Sequence, residues 1–147
     1  KKNDTVTEIL RLENNNKICE IETFKIFSQN LKTTQKNINE LIQNIHKDKK
    51  IIAGFGAARS GTTLISQMEI GKSIKYIVDD NESKQGKYSP GDHIPVKPTS
   101  YMYENFPDYM IILAWVHSKN IIKNHQKYLN MGGSFIVCFP ELKIIKK

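Results

Sequence analysis

The chain has 147 residues, of which 39% are hydrophobic and 25% charged, and a formal net charge of +7. This size and balance fit one ordinary domain with its own core and exclude a disordered or fibrous protein. The lysines are scattered or cluster at the termini and around residues 47–50, with no arginine-rich stripe. The positive charge therefore does not predict a nucleic-acid partner.

Neither the apolar segments nor the cysteines indicate a membrane or metal-binding protein. No apolar stretch approaches the ~20 residues that cross a bilayer, and no signal-peptide core is present, so we expect a cytoplasmic protein with no membrane partner. Cys19 and Cys138 lie outside any Cys-x-x-Cys pattern, which predicts no metal site and no disulfide. Cys138 is expected to be a small buried hydrophobe. The sequence does not begin with methionine and is expected to be a piece of a longer protein.

Residues 1–47 are predicted to be helical. A short helix over residues 5–12 precedes a long one from about residue 20 to residue 47. Steps of three and four along the long helix place its apolar side chains in one narrow stripe: Phe24, Phe27, Leu31, Ile38, Leu41 and Ile45. Packing within the protein is the favoured interpretation of this stripe, and pairing in a homo-oligomer is the alternative.

Residues 49–64, KKIIAGFGAARSGTTL, are typical of a buried strand, a tight loop and a helix. Gly54, Gly56 and Gly61 have the spacing G-x-G-x-x-x-x-G, two residues longer than the dinucleotide fingerprint. Such a turn lets the backbone approach a ligand. The same glycines can instead serve only to turn the chain and to pack the helix on the sheet, and the pattern leaves both interpretations open.

The start of the helix after this loop has the chemistry of an anion site. Its free N–H groups and dipole favour a phosphate. Arg59, Ser60 and Thr62 add a cation and hydroxyl groups there. Alternatively, Ser60 or Thr62 is simply the N-cap of the helix.

Acidic residues follow the next predicted strand, SIKYIV at residues 73–78. Asp79, Asp80 and Asn81 come directly after it, where an acidic residue of a doubly wound fold holds a ribose hydroxyl. The same three residues are also typical of an ordinary turn.

Other candidate ligand contacts lie further along the chain. Residues 82–98 contain three prolines and two glycines, which predicts a long loop. In the expected topology Lys84, Lys87 and His93 of this loop lie near the rim of the glycine loop. Trp115 ends the most apolar strand, residues 108–115, where it either walls a pocket or plugs the end of the sheet.

Strands alternate with helices five times along residues 48–147, which predicts a Rossmann-like α/β fold. We expect an open parallel sheet of about five strands in the order 3-2-1-4-5, with helices on both faces and the helical segment in front. The Gly54 loop and Trp115 would then face one crevice at the switch point.

Three blocks of this sequence resemble the C-terminal domain of sugar C-methyltransferases, which use S-adenosylmethionine to methylate the sugar of a nucleotide-sugar. The blocks are IIAGFGAARSGTTL, then IVDDNESKQGKYSPGDHIPV, then PDYMIILAW with GGSFIVCFPE after it. The resemblance implies that residues 1–47 lead in from a methyltransferase core on the same chain. That core would bind S-adenosylmethionine, so none is expected in this chain, and the chain alone is expected not to be catalytic.

By position, the resemblance implies a nucleotide-sugar site in the first two blocks: Gly54, Gly56, Ala57, Gly61, Asp79, Asp80, Asn81, Lys84, Gln85, Gly86 and His93. Many members of the family have lysine where this chain has Ser60, and asparagine where it has Val116. The predicted substrate site consists of this set without Gln85 and Gly86, together with Arg59, Ser60, Thr62 and Trp115 from the residue patterns. The alternatives are a stand-alone dinucleotide-binding module and a structural or oligomerisation domain.

Overall fold

In the computed structural model, residues 4–147 are described and form two compact units that meet between Thr33 and Thr34. The first unit, residues 4–33, contains helix α1 (Asp4–Asn15) and the beginning of helix α2 (Ile21–Lys47). The second unit, residues 34–147, contains the rest of α2 and the whole sheet. Both predicted N-terminal helices are confirmed. The functional division after residue 47 stays a prediction.

The second unit is built on a six-stranded sheet. Its strands are β1 (Ile52–Phe55), β2 (Ile77–Val78), β3 (Val96–Lys97), β4 (Tyr109–Ile112), β5 (Ser134–Val137) and β6 (Lys143–Ile145). Their order is β3-β2-β1-β4-β5-β6, and the first five are parallel. The predicted α/β fold and the order 3-2-1-4-5 are therefore confirmed. The additional strand β6 pairs antiparallel with β5 at the edge of the sheet.

Four helices follow the strands in the second unit: α3 (Arg59–Met68), α4 (Tyr101–Glu104), α5 (Ser118–Asn124) and α6 (Gln126–Asn130). Helix α3 begins earlier than expected, and its N-cap is Ala58, so the prediction that Ser60 or Thr62 caps it is wrong. Ser118 as a candidate cap and the helical spacing of the residues from Ile121 to Leu129 predict a single helix up to Asn130. The structure breaks it at His125, whose backbone angles of φ −114° and ψ 36° are not helical.

The two faces of the sheet bury different helices. Asn39 of α2 donates a hydrogen bond to the Met68 carbonyl oxygen (2.9 Å), which joins α2 to the end of α3. Ile38 and Ile45 of the predicted stripe are at most 3% exposed, so this part of α2 packs within the domain. Between them Ile42 is buried, whereas Leu41, which was expected in the stripe, is only partly buried. The other face of the sheet carries an aromatic core that includes Phe55, Tyr128 and Phe135, against which α4, α5 and α6 lie.

None of the helices within residues 4–147 combines the length and the apolar character needed to cross a bilayer. Cys19 is exposed, whereas Cys138 is buried, which confirms its predicted place in the core. Burial raises the pKa of the Cys138 thiol to about 12, so this cysteine is not a reactive thiolate at neutral pH.

Candidate functional site

The loop between β1 and α3 depends on its glycines for its path. Gly56 has a φ of +95°, and a Cβ atom at this position would lie 2.6 Å from the Cβ of Ala114. A Cβ on Gly61 would approach the Gly56 carbonyl oxygen to 3.2 Å, which shows how closely α3 begins beside the loop. The turning and packing role is therefore sufficient to explain both glycines.

Asp79 fastens this loop to the end of β2. Its Oδ2 accepts hydrogen bonds from the backbone N–H of Ala57 (2.7 Å) and from Nζ of Lys84 (3.1 Å). Its Oδ1 accepts a hydrogen bond from the N–H of Asn81 (2.8 Å), and the residue is only 7% exposed. Most of the accepting capacity of this carboxylate is thus used inside the protein. Asp79 positions the walls of the site in this structure.

A cavity of about 270 Å³ opens between the glycine loop and the loop after β2. One wall is formed by the glycine loop and the start of α3, and the opposite wall by residues of the segment 83–90. Apolar side chains from α3 and from the strand region complete the lining: Ile65, Ile77, Val96 and Leu113. The cavity therefore combines an apolar surface with two polar walls, as ligand sites commonly do.

The polar walls favour a negatively charged ligand. Lys84 and Lys87 both line the cavity. Lys84 is paired with Asp79, whereas the Lys87 ammonium forms no hydrogen bond or ion pair within residues 4–147. At the start of α3, where Ala58 contributes to the opposite wall, the backbone N–H groups of Ala58, Arg59 and Ser60 form no hydrogen bond within the same range. An unpaired lysine and the N-terminal end of a helix thus border one cavity, a combination that suits a phosphate group.

An aromatic side chain stands beside these polar groups. Tyr88 lines the cavity and is 66% exposed. Its loop is held by the pairing of Tyr88 with Pro95 and by the Ile94 N–H, which donates to Oγ of Ser89 (3.0 Å). Because hydrogen bonds fix this loop, the exposed Tyr88 ring offers a stacking surface for a planar group.

The structure brings together five members of the predicted site as cavity lining: Gly56, Ala57, Gly61, Thr62 and Lys84. Gly54 is buried under Leu113 in the sheet. Arg59 and Ser60 lie in the first turn of α3, outside the lining. Their contact with a ligand stays a prediction.

The remaining predicted residues lie away from the cavity lining. Asp80 accepts a hydrogen bond from the hydroxyl group of Thr99. Asn81 accepts one from the Ser83 N–H (2.9 Å) and thereby caps a short 3₁₀ helix. His93 is exposed in a turn with a φ of 54°. Trp115 begins another 3₁₀ helix, and its ring packs against Phe139 at 5.9 Å between ring centroids.

Lys87 was expected near the rim of the glycine loop and does line the cavity, whereas Ser83, Tyr88 and Ser89 of the same wall were not singled out from the sequence. The signal for Tyr88 and Ser89 was the GKYSPG stretch, in which a cation, an aromatic ring and a hydroxyl group lie between two glycines. A loop of this composition is predictable as a loop. The direction of its side chains depends on the Tyr88–Pro95 pairing, which no periodicity encodes.

A second polar group lies on the other face of the sheet. The His125 ring packs against Phe55 at 4.9 Å between centroids, and its Nδ1 is 3.2 Å from the Tyr103 hydroxyl. Burial lowers the pKa of His125, although the negative charge of Asp80 opposes this effect. The imidazole is therefore neutral at pH 7.

Within residues 4–147, no group of three or more His, Cys, Asp or Glu side chains is arranged to bind a metal ion. The cavity itself has cationic and hydroxyl side chains but no acidic one in its lining.

Comparison with known proteins gives three similarities. A protein-family model described as the C-methyltransferase C-terminal domain matches residues 1–140. The C-methyltransferase NovU of Streptomyces niveus is 34% identical over 141 residues, which cover 95% of this chain and 34% of that protein. The crystal structure of UDP-D-quinovosamine 4-dehydrogenase from Vibrio fischeri is 16% identical, with a TM-score of 0.46, and its match covers 66% of this chain and 93% of that one.

Proposed function

Because the chain belongs to the family of C-methyltransferase C-terminal domains, we propose that its cavity binds the nucleotide part of a nucleotide-linked sugar. The domain would thereby hold the sugar in place for methylation by a separate domain that binds S-adenosylmethionine. The chain spans about a third of the length of its relative NovU, and we assign the methyl transfer to the part outside that third.

The observation that carries this proposal is that the unpaired Lys87 and the start of α3 line the same cavity. A diphosphate placed between these walls would receive a charge-assisted hydrogen bond from Lys87 and backbone hydrogen bonds from the α3 side. The exposed Tyr88 ring is available to stack on a base. Fixing the nucleotide in this way orients the attached sugar, which contributes to rate without an acid or base from this domain.

The cavity does not fit S-adenosylmethionine. The sulfonium group of that cofactor is a cation, and the lining contains Lys84 and Lys87 but no carboxylate. Asp79 lies beneath the walls, where Ala57, Asn81 and Lys84 already use its oxygens. The like charges would repel the sulfonium at this site. Binding of the methyl donor is therefore assigned to the other part of the enzyme.

The arrangement of Asp79 also gives little support to a stand-alone dinucleotide-binding module. In such a module the acidic residue after the second strand accepts the ribose hydroxyl groups. Here the same residue is 7% exposed and holds the glycine loop. The glycine spacing is longer than the fingerprint as well.

Calorimetric titration of the 147-residue chain with uridine and thymidine diphosphates, and with their glucose conjugates, tests the proposal. We expect binding by the diphosphates and by the conjugates, and no binding by S-adenosylmethionine. Lys87→Ala should weaken binding at least about tenfold, because a hydrogen bond to a charged group contributes ~1.5–3 kcal/mol.

Lys72→Ala is the matched control, since it removes the same charge from an exposed position outside the cavity. Its dissociation constant should stay within about twofold of the wild-type value, which corresponds to less than ~0.5 kcal/mol. An equal loss in both variants would mean that the ligand responds only to net charge. An unchanged constant in Lys87→Ala would remove this cavity from nucleotide binding.

A further inference from the structure

The first unit of the chain exposes an unusual amount of apolar surface. None of residues 4–33 is buried. Ile9 and Leu10 of α1 are 49% and 53% exposed, and Ile21, Phe24 and Phe27 of α2 are 74%, 58% and 60% exposed. We call these five side chains the lead-in apolar face. Large apolar side chains grouped on one short segment mark an interaction surface.

The sequence of α2 shows that this face has the pattern of a packed surface. Phe24 and Phe27 continue the steps of three and four that place Ile38, Ile42 and Ile45 in the core of the second unit. The apolar side chains of this one pattern are therefore buried in residues 34–47 and exposed in residues 21–33. The uncovered part has the composition of a helix face that packs on another protein surface.

The charges of the same segment argue for a protein partner. Residues 4–33 carry five acidic and four basic side chains. Arg11 pairs with Glu8 (2.8 Å) and Lys25 with Glu22 (3.4 Å), so several charges are neutralised locally. A helix that lies on an anionic membrane is instead rich in lysine and arginine on its polar side.

We infer that the lead-in apolar face packs against the S-adenosylmethionine-binding domain of the same methyltransferase. This inference rests on the proposed function. The family match begins at residue 1 and includes both helices. The alignment with NovU covers 95% of this chain, and two thirds of that protein lie outside it. The helices are thus common to a relative that contains further protein able to cover them.

Hydrogen exchange tests this packing in the complete methyltransferase and in the 147-residue chain alone. We expect the amides of residues 4–33 to exchange at least about tenfold more slowly in the complete enzyme, because packing against another domain suppresses helix opening. Phe24→Glu should abolish this protection, while the better helix propensity of glutamate keeps the helix formed.

Gln29→Glu is the matched control, because it adds the same charge to an exposed position of α2 on the side opposite the stripe. It should keep the protection. Equal exchange of residues 4–33 in the complete enzyme and in the isolated chain would overturn the inference. Protection of residues 4–33 in the isolated chain, together with a dimeric mass, would overturn the inference and make a second copy of the chain the partner. Protection that appears only on lipid vesicles would overturn it and make a membrane the partner.

The proposed function is tested separately by nucleotide titration of the isolated chain. Nucleotide binding without protection of the helices would refute only the domain contact. Protection without nucleotide binding would refute only the proposed cavity ligand.

Discussion

Removing the Asp79 carboxylate should loosen both walls of the cavity, and Asp79→Ala tests this directly. The bond from the half-buried Ala57 N–H to this carboxylate is 2.7 Å long, and its loss costs about 2 kcal/mol, as for other hydrogen bonds to charged groups. Asn81 is an exposed residue and the bond of its N–H is only part-buried, so water replaces this bond at a lower cost. The side chain of Lys84 is 39% exposed, so its ion pair contributes less than ~1 kcal/mol. We expect a total loss of about 3 kcal/mol.

Urea unfolding followed by circular dichroism measures this loss, and thermal unfolding should show a decrease in Tm of about 10 °C for a protein of this size. Asp80→Ala is the matched control. It removes the same group from the next residue, which is exposed and whose carboxylate bonds, within residues 4–147, only to the hydroxyl group of Thr99. Its expected cost is below ~1 kcal/mol.

A loss of less than ~0.5 kcal/mol in Asp79→Ala would refute the structural role argued for this residue. If nucleotide affinity then fell while stability stayed unchanged, Asp79 would have to be a direct ligand group, as the sequence pattern alone predicted. A stability loss shared equally by both aspartate variants would show a general effect of charge removal.

Two further predictions concern the backbone and the buried imidazole. Gly56→Ala should destabilise the protein by about 2 kcal/mol more than Gly86→Ala in urea unfolding, since both glycines have positive φ values but only Gly56 would place a Cβ against Ala114. Equal losses would refute this steric argument. Burial lowers the pKa of His125, so the folded state disfavours protonation of its imidazole. The neutral imidazole therefore costs the folded state nothing above the unfolded pKa of ~6.5, and the free energy of unfolding decreases as the pH falls below that value. His125→Gln should therefore flatten the decrease in Tm between pH 7.5 and pH 5.5, and an unchanged pH profile would contradict the assignment.

Much of the sheet could be predicted from the sequence because short apolar runs recur between turn-forming residues. This pattern specifies parallel strands covered by helices, and the predicted order 3-2-1-4-5 is that of one common class of doubly wound folds. Strand β6 was missed because Lys143–Ile145 is short, mostly exposed and preceded by a turn, so it lacks the apolar signal. The break at His125 was missed because the helical spacing continues through residues 118–130 and periodicity records no change in backbone angles.

The site was harder to predict because neighbouring residues at the end of a strand can point to different sides. Asp79 reaches the glycine loop on the α3 side, whereas Asp80 bonds to Thr99. In the sequence alone, these two neighbouring aspartates are equivalent. Lys84 and Lys87 are likewise similar in the sequence, yet only Lys84 has an acidic partner within residues 4–147. These distinctions arise from loop geometry, which is set by tertiary contacts.

The pairing of Asp79 with Lys84 bears on how the cavity would select its ligand. Asp79 offsets the charge of Lys84, so the free positive charge of the lining comes from Lys87. A ligand that interacts with Lys84 must compete with a carboxylate that also holds Ala57, and this competition weakens its gain from that lysine. Discrimination between a diphosphate and an uncharged sugar would therefore depend mainly on Lys87 and on the N–H groups at the start of α3. Under the proposed function, Lys84 and Asp79 hold the two walls in place, and Lys87 provides the affinity for phosphate.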